Sequence, residues 1–437
     1  MVKITFMGAG STVFAKNVLG DCMLTEVLNG LDIALYDIDN DRLKESEVII
    51  KAINKKYGAN ANIKTYHGIE NRKEALRGAD FVVNAIQVGG YDPSTIIDFE
   101  IPKKFGLRQT IADTLGIGGI FRALRTIPVM LDFAADMAQV CPNALFLNYT
   151  NPMAMVTGAV QKATDIKTVG LCHSVQGCAE SLLHSVGMGD MYSSEIKQHI
   201  AGINHQAWLL KIEKDGVDLY PEIKRRSLMS EYSMNERVRL KIMNTFGYFI
   251  TESSEHLSEY LPYFIKPTHP ELIEEFAIPL DEYPRRCIRQ IEEWQTTKEE
   301  LSKVDTLEHN RSSEYASHIV EAVVTGTPYK IGGSVLNTGI ITNLPTEACV
   351  EVPCMVDGNG VTPLFVGDLP PQLAALNRTN INPQLLAIDA ALNHKKESIY
   401  HAALLDPHTS AQLSIDETIA LCDELIEAHA DYLPEYK

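Results

Sequence analysis

Along roughly the first 190 residues, short runs of β-branched and aromatic residues alternate with longer amphipathic stretches. "KITFMG", "DIALYD", "DFVVNAI", "ALFLNYT" and "IKTVGL" read as strands, and "ANIKTYHG" as a weaker one. Between them lie helical patterns such as "DRLKESEVIIKAINKKYG", in which Leu43, Val48, Ile49 and Ile53 fall near one helix face. Strand and helix in alternation signal a parallel sheet wrapped by helices, so the expected class is α/β with a Rossmann-type doubly wound sheet.

After Ile200 the rhythm changes. "HQAWLLKIEKDGVDLYPEI" reads as strand, DG turn and strand, with helices expected from about Asn235 to Phe246 and from Leu280 to Leu301. The stretch from Ser334 to Gly367 breaks short alternating runs with Gly, Asn and Pro and reads as an antiparallel meander. Near the C-terminus Ser414 is an expected N-cap with Glu417 as its capping-box partner. These shifts predict two domains: a nucleotide-binding Rossmann-like domain over 1–195 and a mixed α+β domain over 196–437 that carries substrate, metal and oligomer contacts.

Charge and composition narrow the function. A net charge of −18 argues against a nucleic-acid partner, because phosphate binding relies on Lys and Arg. Even the apolar stretch "IPVMLDFAADMAQV" carries Asp132 and Asp136, so no membrane span is expected. The chain opens directly on a strand and a glycine turn, which leaves no room for a signal peptide. Eight cysteines without framework spacing then read as reduced thiols of a cytoplasmic protein.

Candidate chemistry clusters where strands end. In "ITFMGAGSTVFAKNVL", Gly8 allows a tight turn, Gly10 lets a pyrophosphate approach the backbone, and the helix start at Ser11 faces the anion. Val13 stands where the usual fingerprint has a third glycine. Asp37, ending "DIALYD", can accept hydrogen bonds from both ribose hydroxyls and would repel a 2′-phosphate, which favours NAD over NADP. Asn84 and Gly89, in "NAIQVGGYD", are candidates to lie against the nicotinamide half. Cys172 and His173 adjoin at a strand end, where ligands bind in such sheets. Cys172 with His205 of "GINH" would offer a thiolate and an imidazole to a divalent metal, by themselves suggesting zinc. A buried thiol and a satisfied core histidine account for the pair equally well. Asp113, Arg122 and Arg125 surround a glycine cluster, Asn151 follows the fifth strand, and "FITESSEHLSEY" gathers Glu252, Ser254, Glu255, His256 and Tyr260.

Taken in order, "FMGAGSTVF", "DIDNDRL", "QTIADTLGIGGIFRALRTIP", "NYTNPMA", "GLCHSV" and "GINH" resemble the family 4 glycoside hydrolases, and "CHSV" with "TESSEH" resembles their α-galactosidase branch. The resemblance implies a lactate/malate dehydrogenase-like fold, NAD and Mn²⁺ as cofactors, a small α-galactoside as substrate and a homo-oligomer. It makes Cys172 and His205 the metal ligands and Asn151 a contact to substrate hydroxyls. His173 takes the place of the acid for the leaving group. The catalytic base falls at or near Ser254, with Glu252, Glu255, His256 and Tyr260 as alternatives. Asp113 and Arg285 complete the candidate substrate contacts. The implied chemistry is oxidation at C3 of the sugar, loss of the C2 proton, elimination and water addition, an exception to the carboxylate-pair scheme. Competing expectations are an α-glucosidase or α-galacturonidase of the same family, an NAD-dependent dehydrogenase on the same fold, and an NAD-binding regulatory protein.

Overall fold

A computed structural model describes residues 1–229, 231, 232, 234, 236–301 and 308–437. Among them one sheet takes thirteen strands: β1 (Lys3–Met7), β2 (Asp32–Asp37), β3 (Asn62–His67), β4 (Phe81–Asn84), β5 (Leu145–Asn148), β6 (Thr168–Gly170), β7 (Lys197–Ile203), β8 (Gln206–Lys214), β9 (Val217–Asp218), β10 (Phe249–Ile250), β11 (Tyr329–Leu336), β12 (Cys349–Asp357) and β13 (Gly360–Pro363). Read from one edge the order is β3-β2-β1-β4-β5-β6-β11-β12-β7-β8-β10, with β13 on β12 and β9 on β8. The first six are parallel in the doubly wound order, and all later pairings are antiparallel.

Side-chain alternation explains the two helical layers. Phe81 and Val83 pack with Ile33 and Leu35 on one face, while Val82 joins Phe146, Ile117 and Ile120 on the other. Strands buried on both faces read as continuous apolar runs. Edge strand β3 has no fully buried residue, which accounts for its weak signal. In the helix Asn40–Tyr57 Leu43, Ile49 and Ile53 are buried as expected, but Val48 is 50% exposed, since it lies one step off the stripe facing the sheet.

The second half follows the expected pattern except after the DG turn, where the expected second strand is only Val217–Asp218 and a helix, Tyr220–Ser227, follows. Helices span Arg237–Phe246 and Glu282–Leu301; the expected start at Asn235 lies outside the described residues. The Ser334–Gly367 meander is β11, β12 and β13, and Ser414 and Glu417 form the capping box. The sheet does not break between the two halves of the chain. Gly170 of β6 pairs with Ser334 of β11, and a Cβ on Gly170 would lie 2.5 Å from Met153 Sδ. No described helix is long and apolar enough to cross a membrane.

A buried polar knot ties residues 309–315 to the first Rossmann helix, Thr12–Met23. The Asp21 carboxylate meets His309 Nε2 at 2.8 Å and accepts from Ser312 N at 3.0 Å and Ser312 Oγ at 2.6 Å. Gly20 makes room for the ring, as a Cβ there would sit 2.5 Å from His309 Nε2. Helix propensity alone would make Gly20→Ala stabilising by about 1 kcal/mol. Because the ring is held by Asp21, we expect overpacking to lower stability by about 1–3 kcal/mol instead. Urea unfolding checks this, and a midpoint at or above wild type would show that His309 yields.

Candidate active site

The nucleotide side is built at the exits of β1, β2 and β4. Gly8 has φ +86°, and a Cβ there would lie 2.9 Å from the Ala85 carbonyl, so the turn requires glycine. Gly10 N–H donates to Asp37 Oδ2 at 2.6 Å, and Asp39 N–H donates to Asp37 Oδ1 at 2.9 Å. Loop and carboxylate therefore form one unit. Ser11 is exposed and its side chain does not cap the following helix, which leaves first-turn amides for an anion. Val13 is 47% exposed, so no close helix–strand contact demands a glycine there. Gly89, φ +77°, serves the turn after β4, where a Cβ would collide with Ser94 Oγ. Asn84 departs from expectation. It is fully buried, and its amide donates to Asn148 Oδ1 and Thr150 Oγ1 at 2.8 and 2.9 Å, bracing the turn after β5, while its Oδ1 has no hydrogen-bond partner among the described residues.

Five segments meet beside this unit. Cys172 follows β6, and Tyr315 Oη accepts its backbone N–H at 2.8 Å. His205 sits in the two-residue turn between β7 and β8 with φ +63°, and Glu252, just after β10, has φ +65°. Two non-glycine residues held left-handed and facing each other mark a site where the surroundings override backbone preference. His205 Nε2 is 3.4 Å from Glu252 Oε2, and its Nδ1 is 3.0 Å from Tyr260 Oη. Ligand-type atoms of Cys172, His205 and Glu252 lie within 4.8 Å of one another, as do those of Asp113, His205 and His256. Asn151 Nδ2 donates to Asp113 Oδ2 at 3.1 Å, and His256 Nδ1 lies 3.3 Å from Glu252 Oε1.

Electrostatics suit a cation. Burial alone would raise Glu252, but His205, His256 and the Ser253 amide hold it at about 2. Burial likewise opposes the Asp113 anion, and Arg122, His256 and His205 outweigh it and keep it below the usual range. His205 is depressed chiefly by burial, a direction that favours the ligating form of its ring. The Cys172 thiol is pushed up by burial and by Glu351 and Glu252, so it becomes a thiolate only when a cation joins the cluster. Thiolate, imidazole and carboxylate together fit a divalent ion with positions left for substrate oxygens.

The structure separates the remaining candidates. Ser254 Oγ donates to Glu236 Oε2 at 2.7 Å and accepts from Arg239 N, so its hydroxyl is engaged outside the cluster. Glu255 pairs with Arg286. Tyr260 is 1% exposed and stands behind His205, orienting its ring rather than meeting substrate. Arg285 is exposed and bonds to Leu280 O, just before its helix, and to Glu282 at the helix start. The sequence put Glu259 in the polar run "FITESSEHLSEY" without its role, and gave no sign of Tyr315 or Glu314. Glu259 accepts amide N–H bonds from Thr110, Ile111 and Ala112 and so fixes the loop that carries Asp113. Tyr315 holds Cys172, and Glu314 meets His173. The polar run "HNRSSEY" carries no motif that would have announced the last two.

A dinucleotide-type turn beside a thiolate–imidazole–carboxylate donor set, both on the carboxyl edge of a Rossmann sheet, defines a nucleotide- and metal-assisted α/β enzyme. More specifically, the chain belongs to glycoside hydrolase family 4. Residues 3–188 match the Family 4 glycosyl hydrolase model and residues 200–409 its C-terminal domain. The chain is 59% identical over 438 residues to an alpha-galactosidase of Bacillus subtilis (strain 168), covering all of both chains. It is 33% identical to an alpha-galactosidase of Rhizobium meliloti (strain 1021), over 99% of this chain and 89% of that one. The 6-phospho-beta glucosidase from Thermotoga maritima, solved with manganese, NAD⁺ and glucose-6-phosphate, shares the fold at TM-score 0.79 and 21% identity, covering 99% and 100% of the chains.

Proposed function

We propose that the chain is an NAD- and divalent-metal-dependent α-galactosidase that hydrolyses terminal α-galactosides. The meeting of Cys172, His205 and Glu252, with Cys172 following β6 at the same carboxyl edge of the parallel strands as the Gly8–Asp37 turn, carries this reading. Full-length similarity to an alpha-galactosidase supports the galactosyl class. Bound NAD would supply reversible hydride acceptance at C3 of the sugar, and a divalent ion, Mn²⁺ in a solved relative of the fold, would supply stabilisation of negative charge on neighbouring sugar oxygens.

The chain's own residues do the rest. Gly8, Gly10 and the helix start at Ser11 receive the pyrophosphate, and Asp37 takes the ribose. Cys172, His205 and Glu252 hold the ion, with Tyr260 fixing the His205 ring. Asn151 and Asp113 orient sugar hydroxyls. His256, between Glu252 and Asp113, accepts the C2 proton. His173 gives a proton to the departing oxygen, and the reverse steps follow water addition. The two parts of the chain, 1–195 and 196–437, contribute cofactor and substrate contacts respectively, apart from Cys172, which the first part lends to the ion, and His173, Asn151 and Asp113, which it lends to the sugar. Eight unpaired cysteines support a cytoplasmic location. Exposed Ile288 and Ile291 on the helix Glu282–Leu301 support a homo-oligomer, which light scattering would size.

Hydrolysis in heavy water is expected to yield galactose deuterated at C2, because a side-chain base within reach of water exchanges its proton before returning it. Proton NMR of the product reads the label. Unlabelled C2 would favour a carboxylate-pair glycosidase, which never breaks that bond.

A further inference from the structure

His173 carries the leaving-group proton in the function proposed above, and the inference drawn here rests on that assignment. The imidazole is about half exposed, with its Nε2 2.6 Å from Glu314 Oε2. That carboxylate is buried, and Oε2 has no hydrogen-bond partner among the described residues beyond this ion pair. Glu314 lies far along the chain, on the segment that the Asp21 knot bolts to the first Rossmann helix. The next residue, Tyr315, clasps the backbone of Cys172: its hydroxyl accepts the Cys172 N–H at 2.8 Å and lies 3.2 Å from the Cys172 carbonyl. Tyr149 and Phe14 flank the imidazole, with ring centroids 5.9 and 6.4 Å away. Glu314 is thus set in place by groups outside the sugar site before any substrate arrives.

We propose that Glu314 is a positioning residue for His173: it holds Nε2, so that Nδ1 is the ring nitrogen presented to the glycosidic oxygen. A carboxylate on one imidazole nitrogen selects the tautomer and aims the other nitrogen. As the C1–O bond breaks, its electron pair stays on the leaving oxygen and takes the proton from Nδ1. The ring is left neutral, with its remaining proton on Nε2 facing Glu314. The knot at Asp21, Ser312 and His309 then ties the geometry of this proton donor to the cofactor-side helix.

Paired substrates test this. A nitrophenyl α-galactoside leaves as an acidic phenol that needs little protonation, whereas methyl α-galactoside needs a full proton. Glu314→Gln is expected to lower kcat/KM on the methyl glycoside by about 100-fold and on the nitrophenyl glycoside by less than about fivefold, within the range of general acid catalysis. Mn²⁺ and NAD affinities, read by calorimetry, should be unchanged. Glu314→Asp should recover part of the lost ratio. His173→Ala should show the same selective loss, and the double variant should be no worse than the more impaired single. Since both substrates are assayed on one preparation, their ratio is independent of the fraction folded. Equal loss on both substrates in Glu314→Gln, with a selective loss in His173→Ala, overturns the role of Glu314 and leaves His173 as the acid. An unselective His173→Ala overturns the acid assignment, and Glu314 falls with it.

Discussion

Cys172→Ser and His205→Ala should each cut galactoside turnover by about a thousandfold or more, the scale expected when a group that the transition state depends on is removed. The sulfur and the imidazole lie within 4.8 Å of each other and of a Glu252 oxygen. Losing either one leaves the ionised Glu252 in a buried cluster with one cation-binding partner fewer. NAD affinity should hardly move, since Gly8, Gly10 and Asp37 lie on the β1 and β2 exits. His205 also has a left-handed backbone, so His205→Asn is the better companion to alanine: asparagine tolerates that conformation while removing the imidazole. Turnover, Mn²⁺ binding by electron paramagnetic resonance and NAD binding by calorimetry decide the matter. Loss of NAD affinity in step with rate would make both residues structural.

Removing either cofactor should be as severe. After exhaustive chelation or NAD stripping, hydrolysis is expected to fall below about one-hundredth of the holoenzyme rate, and to return only when NAD, Mn²⁺ and a thiol reductant are all restored. The reductant matters because Cys172 is a free cysteine, and oxidation at its sulfur would remove a ligand from the cluster. Catalytic NAD should suffice, with no net NADH at 340 nm while sugar is released, because the hydride goes back to C3 in each cycle. Steady NADH accumulation with an oxidised product would instead identify a dehydrogenase on this fold. Full turnover without either cofactor would overturn the redox mechanism.

Much of the site was legible because its parts are local. The Gly8–Gly10 turn and Asp37 belong to successive strands, and Gly10 N–H meets Asp37 as strand–turn–helix logic requires. Cys172 was legible as a strand-end residue, but its pairing with His205 followed from the family resemblance and not from the strand pattern. The base was not legible. Ser254 and His256 are two residues apart at the start of one short helix, and only its packing turns Ser254 to Glu236 and His256 to Glu252 and Asp113.

By itself the sequence determined the periods: apolar runs for strands buried on both faces, amphipathic stripes for helices, and turn residues at Gly8 and in the Ser414 capping box. Each depends on residues a few places apart, and local sterics and solvation suffice to specify it. Tertiary structure alone decided that β11 and β12 join the Rossmann sheet beside β6, that Glu259 clamps the loop of Asp113, and that Glu314 and Tyr315 reach Cys172 and His173. Those contacts span more than a hundred residues of chain. No local period encodes them; they exist because burying two helical layers against one continuous sheet leaves these side chains a single place to satisfy their charges and hydrogen bonds.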